Sequence, residues 1–101
     1  MNQEFKNLFQ NLMAQPYEAH WWMRHTEPPT DCSDRAYLLA DYCKQNNIEY
    51  NYILTLFLKK NGLHIAIVID GMVYDPIWKL YEVSVQEYKD ILKGFFSVLL
   101  S

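Results

Sequence analysis

Two turn signals divide the middle of the chain into apolar segments with the composition of β-strands. The stretch YNYILTLFL leads to Lys59-Lys60-Asn61-Gly62, then LHIAIVI leads to Asp70-Gly71, and MVYDPIW follows. Asn-Gly and Asp-Gly dipeptides readily adopt the positive backbone angles that tight hairpin turns require. The sequence therefore predicts three strands in an antiparallel meander. Because apolar residues occur on both faces, the sheet should be covered on both sides.

The Asp70-Gly71 turn also predicts which side chains share a face of the hairpin. A two-residue loop gives the pairs Ile69–Met72, Val68–Val73, Ile67–Tyr74, Ala66–Asp75 and His64–Ile77. Side chains alternate between the faces of a strand, so His64 and Asp75 become diagonal neighbours on one face. Diagonal positions lie about 7–8 Å apart, and an imidazole and a carboxylate can bridge that distance with a hydrogen bond.

Three other segments have the apolar spacing of amphipathic helices. They are Asn2 to Ala14, Cys32 to Gln45, and the segment that continues from Ser84 with Val85, Tyr88, Ile91 and Leu92. Pro16 should end the first helix, and Thr30 and Asp31 are N-cap residues for the second. Ser84 and Glu87 have the spacing of a capping box for the third.

Two segments have no clear helical or strand period. The aromatic-rich segment from Tyr17 to Thr30 is interpreted as an ordered loop, held by its aromatic side chains. The apolar tail FFSVLL follows Gly94. It is compatible with a fourth strand, a helix extension or a segment that docks a protein partner.

Composition restricts the class of protein. A chain of 101 residues, half of them hydrophobic, predicts one folded domain spanning residues 1–101. A net charge of −3 provides no basic stripe, so nucleic acid is not expected as a partner. The N-terminus lacks the pattern of a signal peptide, and no apolar run approaches the ~20 residues that span a bilayer. A cytoplasmic protein without a membrane partner is expected.

The two cysteines have different expected environments. Cys32 stands where a capped loop enters a helix, so its sulfur should face the free N–H groups and the positive end of the helix dipole, which favour the thiolate. Cys43, on the buried face of the same helix, is interpreted as core packing. Cys32, His64 or Asp75 alone would be an ordinary structural residue. Together they predict a nucleophile, its base and the residue that orients the base.

Two stretches resemble a known family. DCSDRAYLLADYCKQNNIEYNYILTLFL resembles the region around the nucleophile in the transglutaminase-like superfamily, including the bacterial transglutaminase-like cysteine proteinases. LHIAIVIDGMVYDP resembles the region with His at the start of one strand and Asp-Pro at the end of the next. The resemblance covers about residues 28–78, in the family order Cys, His, Asp. It implies an α+β, papain-like core: the helix carrying Cys32 packs on a small antiparallel sheet, with flanking N- and C-terminal helices.

The family also uses a side chain upstream of the nucleophile to stabilise the oxyanion, and the candidates here are Gln15, Tyr17, Trp21 and Trp22. No cofactor and no metal are expected. Ser33 replaces an acidic residue that helps to bind calcium in the bacterial proteinases, and His20 and His25 lack the spacing of a zinc motif. The tyrosines Tyr50, Tyr52, Tyr74, Tyr81 and Tyr88 are interpreted as half-buried sheet and rim residues.

Two functions of different classes are consistent with these features. The first is a cysteine enzyme that attacks a peptide or carboxamide through a Cys-His-Asp triad and forms a thioester. Water as acceptor makes it a thiol protease or amidase, a hydrolase, and an amine makes it a transglutaminase-like acyltransferase. The second is a non-catalytic binding or inhibitory module that keeps the fold, docking a protein through FFSVLL. A thiol that reacts selectively near pH 6 distinguishes the enzyme from the module.

Overall fold

The computed structural model describes residues 1–15, 32–57, 62–93 and 96–100, the last range as backbone. These residues form three helices and five strands. In chain order they are α1 (Gln3–Ala14), α2 (Cys32–Gln45), β1 (Asn51–Phe57), β2 (Gly62–Ile69), β3 (Met72–Asp75), β4 (Leu80–Ser84), α3 (Val85–Leu92) and β5 (Phe96–Leu100). The predicted α+β class is confirmed, with helices before and after the central strands.

The strands form one antiparallel sheet in the order β4-β3-β2-β1-β5. The three strands of the predicted meander, β1 to β3, form the centre of the sheet, and β4 and β5 lie at its two edges. MVYDPIW is not one continuous strand: β3 ends at Asp75, a turn follows, and β4 begins at Leu80. Pro76 has no N–H to donate, which disfavours continued pairing. The tail forms β5, which pairs with β1.

The Asp70-Gly71 turn forms as predicted, with positive φ angles of 52° and 77° that suit a two-residue hairpin loop. The three pairs nearest the turn are confirmed, from Ile69–Met72 to Ile67–Tyr74. The predicted pairs Ala66–Asp75 and His64–Ile77 are wrong, because the ladder between β2 and β3 stops after three pairs. On the other edge of β3, the pairing with β4 has a register shift between Val73 and Asp75, and Asp75 pairs with Leu80. Beyond Ile67, β3 therefore diverges from β2.

The other predicted turn needs a smaller correction. β1 and β2 do form an antiparallel hairpin, but Gly62 already belongs to β2 and pairs with Phe57. Gly62 is therefore a strand residue and not part of the turn. Residues 58–61 lie outside the described part of the chain.

The helix boundaries follow from local chemistry. The side chain of Asn2 caps α1 by accepting a hydrogen bond of 2.9 Å from the Phe5 N–H. Ser84 caps α3 by accepting one of 3.1 Å from the Glu87 N–H. α2 has the predicted bounds. Its predicted caps Thr30 and Asp31, Pro16, and the predicted loop from Tyr17 to Thr30 lie outside the described residues.

The sheet is covered on both faces, as predicted. On one face Ile67, Ile69 and Tyr74 form a core with α1 and α2 that includes the fully buried Cys43. On the other face a second core joins the sheet to α3; its buried members are Ile53, Ala66, Val68, Val73, Tyr88 and Leu92. Within the described ranges, no helix combines the length and apolar composition needed to cross a membrane.

Candidate active site

The nucleophile candidate is positioned by α2. Cys32 is the first residue of this helix and is partly exposed. The first N–H groups of a helix have no acceptor within the helix itself, so Cys32 lies at the positive end of the helix dipole. Cys43, near the other end of α2, is 0% exposed, and burial raises the pKa of its thiol. The same helix therefore carries one accessible thiol and one buried thiol, as predicted.

The base candidate is positioned by β2 at the place where β3 diverges from it. His64 lies near the start of β2, directly opposite Thr55 of β1, and only 6% of it is exposed. Its Nε2 lies 2.6 Å from Oδ2 of Asp75, at the end of β3. The predicted contact between His64 and Asp75 is thus present, although the strand pairing proposed to produce it is not. The bulge in β3 does not prevent the two side chains from meeting.

Asp75 is fully buried and accepts four hydrogen bonds, two at each carboxylate oxygen. Oδ1 accepts from the backbone N–H groups of Ile77 at 3.0 Å and Trp78 at 3.2 Å. Oδ2 accepts from His64 at 2.6 Å and from the Tyr88 hydroxyl at 2.5 Å. Asp75 therefore begins the Asp-Pro turn with one oxygen and orients the imidazole with the other.

The protonation of His64 reflects competing influences. Burial is the largest and lowers its pKa, because it disfavours the charged ring. The hydrogen bond to Asp75, a hydrogen bond to Cys32 and the negative charges of both partners favour the imidazolium. Their combined effect prevails and raises the pKa of His64 from 6.5 to about 9. Cys32 therefore lies close enough to the ring to affect its protonation.

Tyr88 is the residue of this site that sequence analysis missed. The sequence predicts half-buried tyrosines, but Tyr88 is fully buried and Tyr74 is buried, whereas Tyr50, Tyr52 and Tyr81 are partly buried. Tyr88 lies on the buried face of α3 and donates its hydroxyl to Asp75. A tyrosine in the middle of an apolar helix face indicates a buried hydroxyl, and a buried hydroxyl requires a hydrogen-bond partner.

Of the oxyanion candidates, only Gln15 belongs to the described residues; Tyr17, Trp21 and Trp22, like His20 and His25, lie outside them. The side-chain Oε1 of Gln15 is buried and has no hydrogen-bond partner in the described part of the chain. Its backbone carbonyl accepts a 3.1 Å hydrogen bond from Arg35, in the first turn of α2. Gln15 is therefore tied to the helix that carries Cys32.

The arrangement suits nucleophilic chemistry. Because Nε2 of His64 is engaged by Asp75, Nδ1 is the ring nitrogen available to exchange a proton with Cys32. His64 is buried, whereas Cys32 is partly exposed. Among the residues described, no group of three or more His, Cys, Asp or Glu side chains is arranged to hold a metal ion. In comparisons with known proteins, no family model, no curated protein and no solved structure matches this chain.

Proposed function

We propose that this chain is a cysteine-dependent acyl-transfer enzyme of the transglutaminase-like type, acting on a peptide or carboxamide. The observation that supports this most strongly is the buried 2.6 Å contact between His64 and Asp75, with Cys32 within reach of the same imidazole. This arrangement of side chains from α2, β2 and β3 supports the roles of nucleophile, base and orienting carboxylate.

The first half of the reaction follows from these positions. Asp75 holds the Nε2–H of His64, so Nδ1 takes the proton of the Cys32 thiol. The thiolate attacks the substrate carbonyl carbon, and the positive end of the α2 dipole stabilises the negative charge that develops on the carbonyl oxygen. As the tetrahedral intermediate collapses, the C–N bond breaks and the imidazolium returns its proton to the leaving amine. The product of this half is a thioester on Cys32.

The second half reverses the proton transfers. His64 removes a proton from water or from an amine, which attacks the thioester carbonyl, and the proton then returns to the Cys32 sulfur as it leaves. Water gives a carboxylic acid and an amine gives a new amide. The thiol is regenerated in either case, and these steps require no cofactor. We place the enzyme in the cytoplasm, because its two cysteines are free and such thiols persist in reducing compartments.

Selective alkylation of Cys32 tests this proposal. The folded protein is treated with limiting iodoacetamide at pH 6, and the modified cysteines are identified by peptide mass spectrometry. We expect Cys32 to react at least tenfold faster than Cys43, which is 0% exposed and serves as an internal control. His64→Ala should slow the alkylation of Cys32 itself at pH 6, while Cys43 stays inert because it is buried. Tyr42→Phe, which removes a buried hydroxyl bonded to Asn2 rather than to the triad, should not slow the alkylation of Cys32.

A covalent intermediate provides the second measurement. Incubation with an activated peptide ester should add one acyl group to Cys32, visible as a mass increase that is lost on treatment with hydroxylamine. If both thiols are equally inert at pH 6 and no acyl-enzyme forms, the enzyme proposal is wrong. The non-catalytic binding module is then the better description.

A further inference from the structure

One carboxylate oxygen of Asp75 receives two donors from different parts of the fold. Nε2 of His64, on β2, lies 2.6 Å from Oδ2, and the hydroxyl of Tyr88, on α3, lies 2.5 Å from the same atom. The other oxygen is occupied by two backbone N–H groups. A change in the hydrogen bond that Tyr88 donates to Oδ2 therefore alters the same oxygen atom that contacts His64.

The Tyr88 hydroxyl keeps the same protonation state over a wide pH range. The residue is 0% exposed. Burial raises the pKa of its hydroxyl well above the usual value, and the negative charge of Asp75 and the hydrogen bond to it act in the same direction. The phenol therefore stays protonated and remains a donor at every pH at which the protein would work. It cannot itself exchange protons during turnover.

We propose that Tyr88 is a positioning residue of the triad, which sets the protonation of His64 by sharing Oδ2 of Asp75. This inference rests on the function proposed above and adds to it a residue outside the Cys-His-Asp set. The hydroxyl holds the carboxylate from the α3 side while the backbone of Ile77 and Trp78 holds the other oxygen. It also draws negative charge away from the oxygen that stabilises the imidazolium.

The direction of the effect follows from that sharing. Without the hydroxyl, Oδ2 has a single donor, so its hydrogen bond to His64 strengthens and the imidazolium is better stabilised. The carboxylate keeps its orientation, because the two backbone donors at Oδ1 remain. Removing the hydroxyl should therefore raise the pKa of His64, and strengthening it as a donor should lower that pKa.

Few other groups in the described residues act on His64. Cys32 from α2 and Asp75 from β3 are its titratable partners, and Thr55 faces it from β1 without a titratable group. Tyr88 from α3 acts through Asp75. A change confined to the Tyr88 hydroxyl leaves the other groups in place, so a change in the titration of His64 can be assigned to it.

The test compares Tyr88→Phe with the parent protein by NMR titration of the imidazole nitrogens of His64. We expect its pKa to rise by about 0.5 to 1 pH unit, the size expected for loss of one hydrogen bond to the partner carboxylate. Site-specific 3-fluorotyrosine at position 88 has a more acidic phenol and should shift the pKa in the opposite direction. The matched control is Tyr42→Phe, which also removes a hydroxyl donor, here to Asn2, without touching Asp75.

The outcomes separate this inference from the proposed function. A rise with Tyr88→Phe and a fall with fluorotyrosine support the role of Tyr88. A pKa that is unchanged relative to the Tyr42→Phe control, or that falls with Tyr88→Phe, overturns it. Alkylation of Cys32 is measured in the same samples. An inert Cys32 in the parent protein counts against the enzyme, whereas the His64 titration reports on Tyr88 regardless of activity.

Discussion

Replacing Asp75 with Asn should abolish a pH dependence of stability that arises from His64. The pKa of His64 is about 9 in the folded protein against an ordinary value of 6.5. The folded state therefore binds this proton more tightly than the unfolded state does. The resulting stabilisation is complete below pH 6.5 and is lost as the pH rises through 9.

The magnitude follows from that interval. At about 1.4 kcal/mol per pH unit, a pKa raised from 6.5 to about 9 contributes about 3 kcal/mol to the free energy of unfolding. In Asp75→Asn, the side-chain oxygen still accepts from the N–H groups of Ile77 and Trp78. The amide nitrogen, however, carries hydrogens in the place of Oδ2. It therefore cannot accept the hydrogen bonds that His64 and Tyr88 donate in the parent protein. Burial then dominates and keeps the imidazole neutral, so this contribution disappears.

Urea unfolding of both proteins at pH 6.5, 8 and 9.5, followed by circular dichroism, measures the effect. The difference in unfolding free energy between the parent and Asp75→Asn should shrink by about 3 kcal/mol across this range. Titration of Cys43 and of the buried tyrosines occurs in both proteins and largely cancels in the difference. A difference that stays constant within about 0.5 kcal/mol would refute the proposed ion pair between His64 and Asp75.

Three further predictions concern other residues. Cys32→Ala should abolish acyl transfer while changing the unfolding free energy by less than about 1 kcal/mol, measured by turnover and urea denaturation; unfolding of this variant would instead indicate a structural cysteine. Asn2→Ala should lower the free energy of unfolding by about 1–2 kcal/mol, because Asn2 accepts hydrogen bonds from both the Phe5 N–H and the Tyr42 hydroxyl. Asn2→Asp keeps an acceptor oxygen and should be close to the parent protein in thermal melts. Cys43→Ser should destabilise by about 1–3 kcal/mol relative to Cys43→Ala, since it buries a hydroxyl, yet leave the alkylation rate of Cys32 unchanged.

Much of the site could be predicted because it depends on local patterns. The Asp70-Gly71 turn requires positive φ at both residues, and this sets the first pairs of the hairpin. The helical period and the N-terminal position of Cys32 follow in the same way from residue spacing. The contact between His64 and Asp75 was predicted from strand alternation. It survived the bulge in β3, because both side chains remain on the face that carries the second core.

Other features were not predictable because they depend on distant segments. β4 and β5 are short edge strands whose apolar residues do not alternate clearly, and their pairing is decided by the strands they meet. The ladder between β2 and β3 ends at the pair Ile67–Tyr74, and the register between β3 and β4 shifts before Asp75. The role of Tyr88 required α3 to pack on the same face of the sheet as His64.

By itself, the sequence determined the elements of the site: a cysteine at a helix start, a histidine and an aspartate on one hairpin face, and a capped third helix. These features are local, since turn angles, caps and side-chain alternation act over a few residues. Only the tertiary structure decided that Cys32 reaches His64, that Asp75 is fully buried with four donors, and that Tyr88 shares its oxygen. Those contacts join four elements that are far apart in the chain, and the packing of both sheet faces sets their distances.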